Sequence, residues 1–183
     1  MAVSIAVFGA ASDKINKDFL DAGYRLGELF AKNDIRLVFG GGATGMMGAV
    51  ARGSHDAGGR QIGIAPRFFD TPGILFKEST EFIYTENMRE RKAILDDIPD
   101  AFIIVPGGIG TYDEFFEILT LKQLERTDKP ILLLNTNGYF SELFGVIKKA
   151  VDEGFTEHNV FGLFSLVATP EEAISKLKEV RLI

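Results

Sequence analysis

The chain contains no cysteine. Disulfides, thiolate zinc sites and cysteine nucleophiles are thereby excluded. Histidine is almost as scarce. His55 and His158 are the only 2 imidazoles, and they lie far apart in sequence, which disfavours a His-rich metal site and a Ser-His-Asp triad. No window approaches about twenty uninterrupted apolar residues. The opening stretch, Met1 to Gly9, lacks a basic segment and is too short and glycine-interrupted for a signal peptide; the expectation is a cytoplasmic protein with no membrane partner. Positive charge is in deficit, with 20 Lys and Arg against 26 Asp and Glu and a formal charge of −6. With no Lys/Arg run, the chain lacks the footprint that grips nucleic acid. A small anion held by local amides and one or two cations stays open.

What is present is an ordinary globular balance: 183 residues, 46% apolar and 25% charged. This predicts one domain over residues 1–183. Short apolar runs at Val3–Phe8, Ile35–Phe39, Gln61–Ala65, Ala101–Val105 and Pro130–Leu134 read as strands. Glu81–Tyr84 and Ser165–Ala168 are weaker strand candidates. Between them lie helical periods, clearest in Ile15, Phe19, Ala22, Leu26, Leu29 and Phe30. Further helices are predicted near Met46–Ala51, Asn87–Asp97, Tyr112–Glu125, Glu142–Val151 and Glu171–Val180. Residues 66–80 show no period and predict a long loop, a feature that in a compact domain is usually functional or mobile. Strand–helix alternation predicts an α/β, doubly wound, Rossmann-like domain with a mainly parallel sheet flanked by helices.

In such a sheet, ligands sit beyond the carboxyl ends of strands. Three segments have a strand–glycine–helix form: Phe8-Gly9-Ala10-Ala11-Ser12, Phe39-Gly40-Gly41-Gly42-Ala43-Thr44-Gly45, and Val105-Pro106-Gly107-Gly108-Ile109-Gly110-Thr111-Tyr112-Asp113-Glu114. Helix N-termini there offer free amides to a phosphate. The second segment has glycines spaced like a dinucleotide fingerprint, but Gln61 stands where a ribose-binding acid is expected, and no Walker lysine follows any glycine loop. Neither NAD nor ATP chemistry is supported, and no cofactor is called for. In the third segment Thr111 and Glu114 admit two readings. They are either a phosphate contact with a carboxylate beside it, or a capping box that satisfies backbone amides. Glu86-Asn87-Met88-Arg89-Glu90-Arg91-Lys92 is likewise either a solvated helix face with local ion pairs or a source of cations near the crevice.

Taken in order, Gly40-Gly41-Gly42-Ala-Thr-Gly45-Met-Met47-Gly48, Met88-x-x-Arg91-Lys92 and Pro106-Gly107-Gly108-x-Gly110-Thr111-x-x-Glu114 resemble the Lonely Guy family. Its members are cytokinin riboside 5′-monophosphate phosphoribohydrolases, often labelled "possible lysine decarboxylase". Lys129-Pro130 and Asn137-Gly138-Tyr139 extend the likeness over nearly the whole chain. The resemblance implies hydrolysis of the N-glycosidic bond of adenosine 5′-monophosphate, plain or N6-substituted, to free base and ribose 5-phosphate. It implies Arg91 and Glu114 as catalytic residues. Gly107, Gly108, Gly110 and Thr111 are implied as the phosphate turn. Gly41, Gly42, Gly45, Met88, Lys92 and Thr120 are implied near the substrate. It also implies a homodimer or higher homo-oligomer.

The chemistry suits these residue types. Cleaving a ribosyl C–N bond passes through an oxocarbenium-like state, which a carboxylate can stabilise while it orients water. Arg91 would hold that carboxylate ionised or bind phosphate or ribose. Several positions depart from the family pattern. Ala10-Ala11-Ser12 replaces a hydroxyl-rich turn, leaving Ser12 as the one nearby hydroxyl. Arg89 stands where His is frequent, and Leu121 where Trp is common. Phe68, Phe69 and Tyr84 fall near the expected base pocket, and each reads as core or as base platform. A second reading of the same fold is a carrier that binds a nucleotide or molybdenum cofactor without turnover. A pyridoxal-dependent decarboxylase would need a Schiff-base lysine, for which Lys92, with a pKa lowered by Arg91, is the one candidate. The apolar helix from Tyr112, carrying Phe115, Phe116, Ile118, Leu119, Leu121 and Leu124, is expected to be internal or to face a partner subunit.

Overall fold

The computed structural model describes residues 2–183. Seven strands form one sheet: β1 (Ser4–Phe8), β2 (Arg36–Phe39), β3 (Gln61–Pro66), β4 (Glu81–Thr85), β5 (Ala101–Ile104), β6 (Ile131–Leu134) and β7 (Ser165–Val167). Six helices alternate with them: α1 (Lys17–Lys32), α2 (Gly45–Asp56), α3 (Met88–Asp97), α4 (Ile109–Gln123), α5 (Ser141–Asp152) and α6 (Pro170–Glu179). The spatial order is β4-β3-β2-β1-β5-β6-β7, and every pairing is parallel.

Alternating side chains on each strand face opposite sides of the sheet. Ile5 and Val7 of β1, with Leu37, Phe39 and Ile103, pack under α1, α2 and α6 through Leu26, Phe30, Met46, Val50 and Leu177. Ala6 and Phe8, with Val38, Phe102 and Ile104, pack under α3, α4 and α5 through Leu95, Phe115, Ile118 and Ile147. Both faces are therefore covered, which is why the strands read as continuous apolar runs rather than alternating ones.

The chain leaves β1 in one direction to build β2, β3 and β4, then returns to place β5 on the other side. That reversal is the topological switch point, where a crevice opens at the carboxyl ends of the strands. Residues 66–80 are not free chain. Phe76 N–H donates to the Gly41 carbonyl (2.8 Å) and Ala43 N–H to the Ile74 carbonyl (2.9 Å), and Gly42 bridges Leu75 in antiparallel sense. The segment is folded back over the second glycine turn. On its outer side Lys77 bonds Asp70 and the Tyr84 hydroxyl.

Candidate active site

A cleft of about 580 Å³ opens at the switch point. All three glycine turns contribute to it: Gly9 to Ser12 after β1, Gly40 and Gly42 after β2, Gly108 and Gly110 after β5. Met88, Arg91 and Lys92 of α3, and Thr111, Asp113 and Glu114 of α4, complete the polar part. Phe69, Ile74 and Leu75 of the folded-back segment and Met47 of α2 supply the apolar part. Of these, sequence reasoning singled out Phe69 and Met47 but missed Ile74 and Leu75. Ile74 and Leu75 carry no periodic signal, because their segment is irregular: backbone bonds to the second glycine turn and the burial of Leu75 and Phe76 hold it in place.

The structure brings Arg91 and Glu114 together. Arg91 Nη1 donates to Glu114 Oε1 at 2.9 Å, and the two side chains are 10% and 13% exposed. Arg91 lies four residues before buried Leu95 on α3, so helical geometry turns it inward rather than to solvent. Its Nε donates to the Ile64 carbonyl at the end of β3 (3.3 Å). Gly40 is needed for this: a Cβ there would lie 2.2 Å from Arg91 Nη2. Arg91 is thus anchored at a strand end and held against a glycine, with one guanidinium nitrogen left for the carboxylate.

Glu114 lies between buried Thr111 and Ile118 on α4. Burial raises its pKa above the ordinary carboxylate value; the Arg91 and Lys92 charges oppose the rise without cancelling it, and Asp113 adds to it. Lys92 Nζ is 2.6 Å from both Asp113 Oδ2 and Glu117 Oε2. Burial disfavours its charge, but the two carboxylates outweigh burial and its pKa is raised. The sequence expectation of a lowered value is corrected here: Arg91 spends its charge on Glu114, and Lys92 on two acids of its own. An ammonium so paired does not fit a Schiff-base lysine.

The capping-box reading of Thr111 and Glu114 is also corrected. α4 begins at Ile109, three residues earlier than the Tyr112 predicted, and its N-cap is Gly108 with no side-chain cap. Reciprocal capping occurs on α3 instead, where Asn87 accepts from Glu90 N–H and Glu90 accepts from Glu86 N–H. The Ile109 and Gly110 amides at the start of α4 have no acceptor among the described residues, and Gly108 and Gly110 line the cleft, a polarity that suits an anion.

The α2 N-terminus differs. Asp13 Oδ1 accepts Gly45 N–H (2.8 Å), and the Ala10 carbonyl accepts Met47 N–H (3.2 Å). Gly45 has φ +62°, and a Cβ there would strike the Ala10 carbonyl; the residue serves close packing of the first loop. Gly41 sits against the Phe82 ring and, like Gly45 and Gly107, is not part of the cleft wall. Gly107 lies directly behind the wall, under the Thr111 hydroxyl. Thr120 is exposed on α4 and is not brought to the cleft. Ser12 lines it. Of the three aromatics, only Phe69 does, while Phe68 is 61% exposed and Tyr84 bonds Lys77.

Behind the pair, burial and the Glu117 charge push Asp96 up to about 6, with Lys92 and Lys129 opposing. Its ordinary value is 3.8. A carboxyl group whose folded pKa is raised binds its proton more tightly in the fold, so its contribution to stability is lost as pH rises from about 4 to about 6. Asp96→Asn is expected to stabilise the protein at pH 7 to 8 and to change little below about pH 4; urea midpoints at the two pH values check this.

Among the described residues no group of three or more His, Asp or Glu side chains could hold a metal ion, and no helix is long and apolar enough to cross a membrane.

The family model described as "possible lysine decarboxylase" matches residues 47–177. A probable cytokinin riboside 5′-monophosphate phosphoribohydrolase of Oryza sativa subsp. japonica is 38% identical over 96% of this chain and 72% of its own length. A cytokinin riboside 5′-monophosphate phosphoribohydrolase of Arabidopsis thaliana is 37% identical over 96% of this chain and 81% of its own. Among solved structures, the molybdenum cofactor binding protein of Rippkaea orientalis superposes with a TM-score of 0.76 at 24% identity, covering 98% of each chain, a likeness of fold. On the sequence similarity, which spans nearly the whole chain at well over 30% identity, the chain belongs to the Lonely Guy family.

Proposed function

We propose that this protein hydrolyses the N-glycosidic bond of adenosine 5′-monophosphate or an N6-substituted form, releasing free base and ribose 5-phosphate. One observation carries the reading: a buried Arg91–Glu114 pair stands in the same cleft as the uncapped N-terminus of α4. The curated relatives' names give the reaction class.

Glu114 lies one helical turn beyond Gly110, about 6 Å along the axis. A 5′-phosphate on the amides of Gly108, Ile109 and Gly110, with Thr111 beside it, sets the anomeric carbon of the same ribose near the second turn. There the Glu114 carboxylate offsets the positive charge that develops as the C–N bond breaks and takes a proton from the water that bonds to the anomeric carbon, while the base leaves with the C–N electron pair and is protonated in turn, restoring the carboxylate. Arg91 keeps the carboxylate ionised against its burial and fixes its position. Phosphate binding, remote from the bond broken, is spent on orientation. Met47, Phe69, Ile74, Leu75 and Met88 give the base an apolar surround.

The test is chromatography of the purified protein incubated with AMP and with isopentenyladenosine 5′-monophosphate. Release of base and ribose 5-phosphate is the expected result. Binding with the nucleotide recovered intact would overturn the hydrolase reading in favour of a carrier.

The same reading includes a homodimer. Along α4, Ile109 is 84% and Phe116 39% exposed, an apolar stripe beside the cleft that a monomer would leave in water. Light scattering at micromolar concentration is expected to give twice the chain mass or more; a stable monomer would overturn this part.

A further inference from the structure

We infer that Tyr139 is a positioning residue for the phosphate turn: its hydroxyl sets the orientation of the peptide that carries the Gly108 amide. The inference rests on the hydrolase reading and deepens it. Tyr139 Oη donates to the Gly107 carbonyl at 2.6 Å. Within a trans peptide unit the carbonyl and the following N–H point in opposite directions. Pinning the Gly107 oxygen on the Tyr139 side therefore turns Gly108 N–H the other way, and Gly108 lines the cleft. That amide has no acceptor among the described residues, so nothing else on its own side fixes it.

Tyr139 is itself well placed to act as a fixed point. After β6 the chain turns through Asn137 and Gly138, at φ 53° and 73°. Asn135 Oδ1 accepts Phe140 N–H at 2.7 Å and Asn137 bonds Asp18 of α1. The Tyr139 ring packs edge-on against Phe19 and Phe140. The hydroxyl thus ties the glycine turn to the loop after β6. Glycines supply the turn with no side chains of their own to hold a peptide plane, so the constraint has to come from outside.

Tyr139→Phe keeps the ring and its packing and removes only the donor. The expected result is a rise of about five- to tenfold in the KM for AMP, as one hydrogen bond to a binding group is worth, with kcat within about twofold. The dissociation constant for ribose 5-phosphate, by calorimetry, should weaken by the same factor, while that for adenosine stays unchanged. A merely structural tyrosine would lower the melting temperature and leave this split absent. Wild-type KM and wild-type affinity for ribose 5-phosphate in the variant would overturn the inference while leaving the hydrolase reading intact. Recovery of intact AMP from the wild-type protein would overturn the hydrolase reading on which the inference rests.

Discussion

Glu114→Gln is expected to lower base release by about a thousandfold, within the range that a positioned acid–base group contributes. Glutamine is nearly isosteric and can still accept from Arg91, so the contact at 2.9 Å can persist. What is lost is the negative charge and the proton acceptor. The substitution should cost little stability. Because the pKa of Glu114 is raised despite Arg91 and Lys92, the fold disfavours the ionised form more than the pairing favours it, and a neutral amide escapes that penalty. The two measurements are kcat by chromatographic assay and the urea midpoint. A variant with wild-type kcat would remove the carboxylate from the reaction. The sign of the wild-type pH profile follows from the same shift. Activity needs the carboxylate, so it should fall as pH drops through a pKa above the usual 4.5.

Arg91→Ala is expected to damage both activity and fold. The guanidinium bonds the Ile64 carbonyl and Glu114, and its removal leaves a carboxylate buried without its main counter-charge. Breaking a buried pair from one side costs about 3 to 5 kcal/mol; Glu114 can take up a proton, so about 3 kcal/mol is expected. The same protonation removes the acceptor needed for water, and activity should fall by about a hundredfold or more. The acid limb of any residual activity should move upward, since the charge that lowers the pKa of Glu114 is gone. Arg91→Lys should recover only part of the loss, because a point ammonium cannot serve the strand carbonyl and the carboxylate in fixed directions. Arg91→Ala with an unchanged urea midpoint and full turnover would return this arginine to the solvated-face reading.

The strands were legible because both faces of the sheet are covered, which leaves apolar runs such as Ala101–Val105 uninterrupted. α4 was legible in its middle but not at its start. Gly108 and Gly110 are poor helix formers, and the Thr111–Glu114 spacing offered a capping signal three residues beyond the true N-cap at Gly108. The residues alone left Arg91 open between solvent and cleft, although its spacing to Leu95 is the trace of an inward position. The family likeness pointed to it directly. The partners of Lys92 could not be read, since Asp113 and Glu117 stand on a different helix. The place of Ile74 and Leu75 depends on backbone bonds to a distant glycine turn, which no side-chain pattern records.

The pairing of β1 has a consequence for synthesis. On one edge β1 meets β2, with Ser4 opposite Arg36; on the other Ile5 meets Ala101. The second neighbour of the central strand does not exist until the chain has grown past residue 101. At roughly 5 to 20 residues per second, a ribosome exposes that edge of β1, a row of unpaired amides and carbonyls in an apolar strand, for several seconds before β5 emerges to cover it. A strand fully buried in the finished protein is thus the one most in need of protection while the protein is being made.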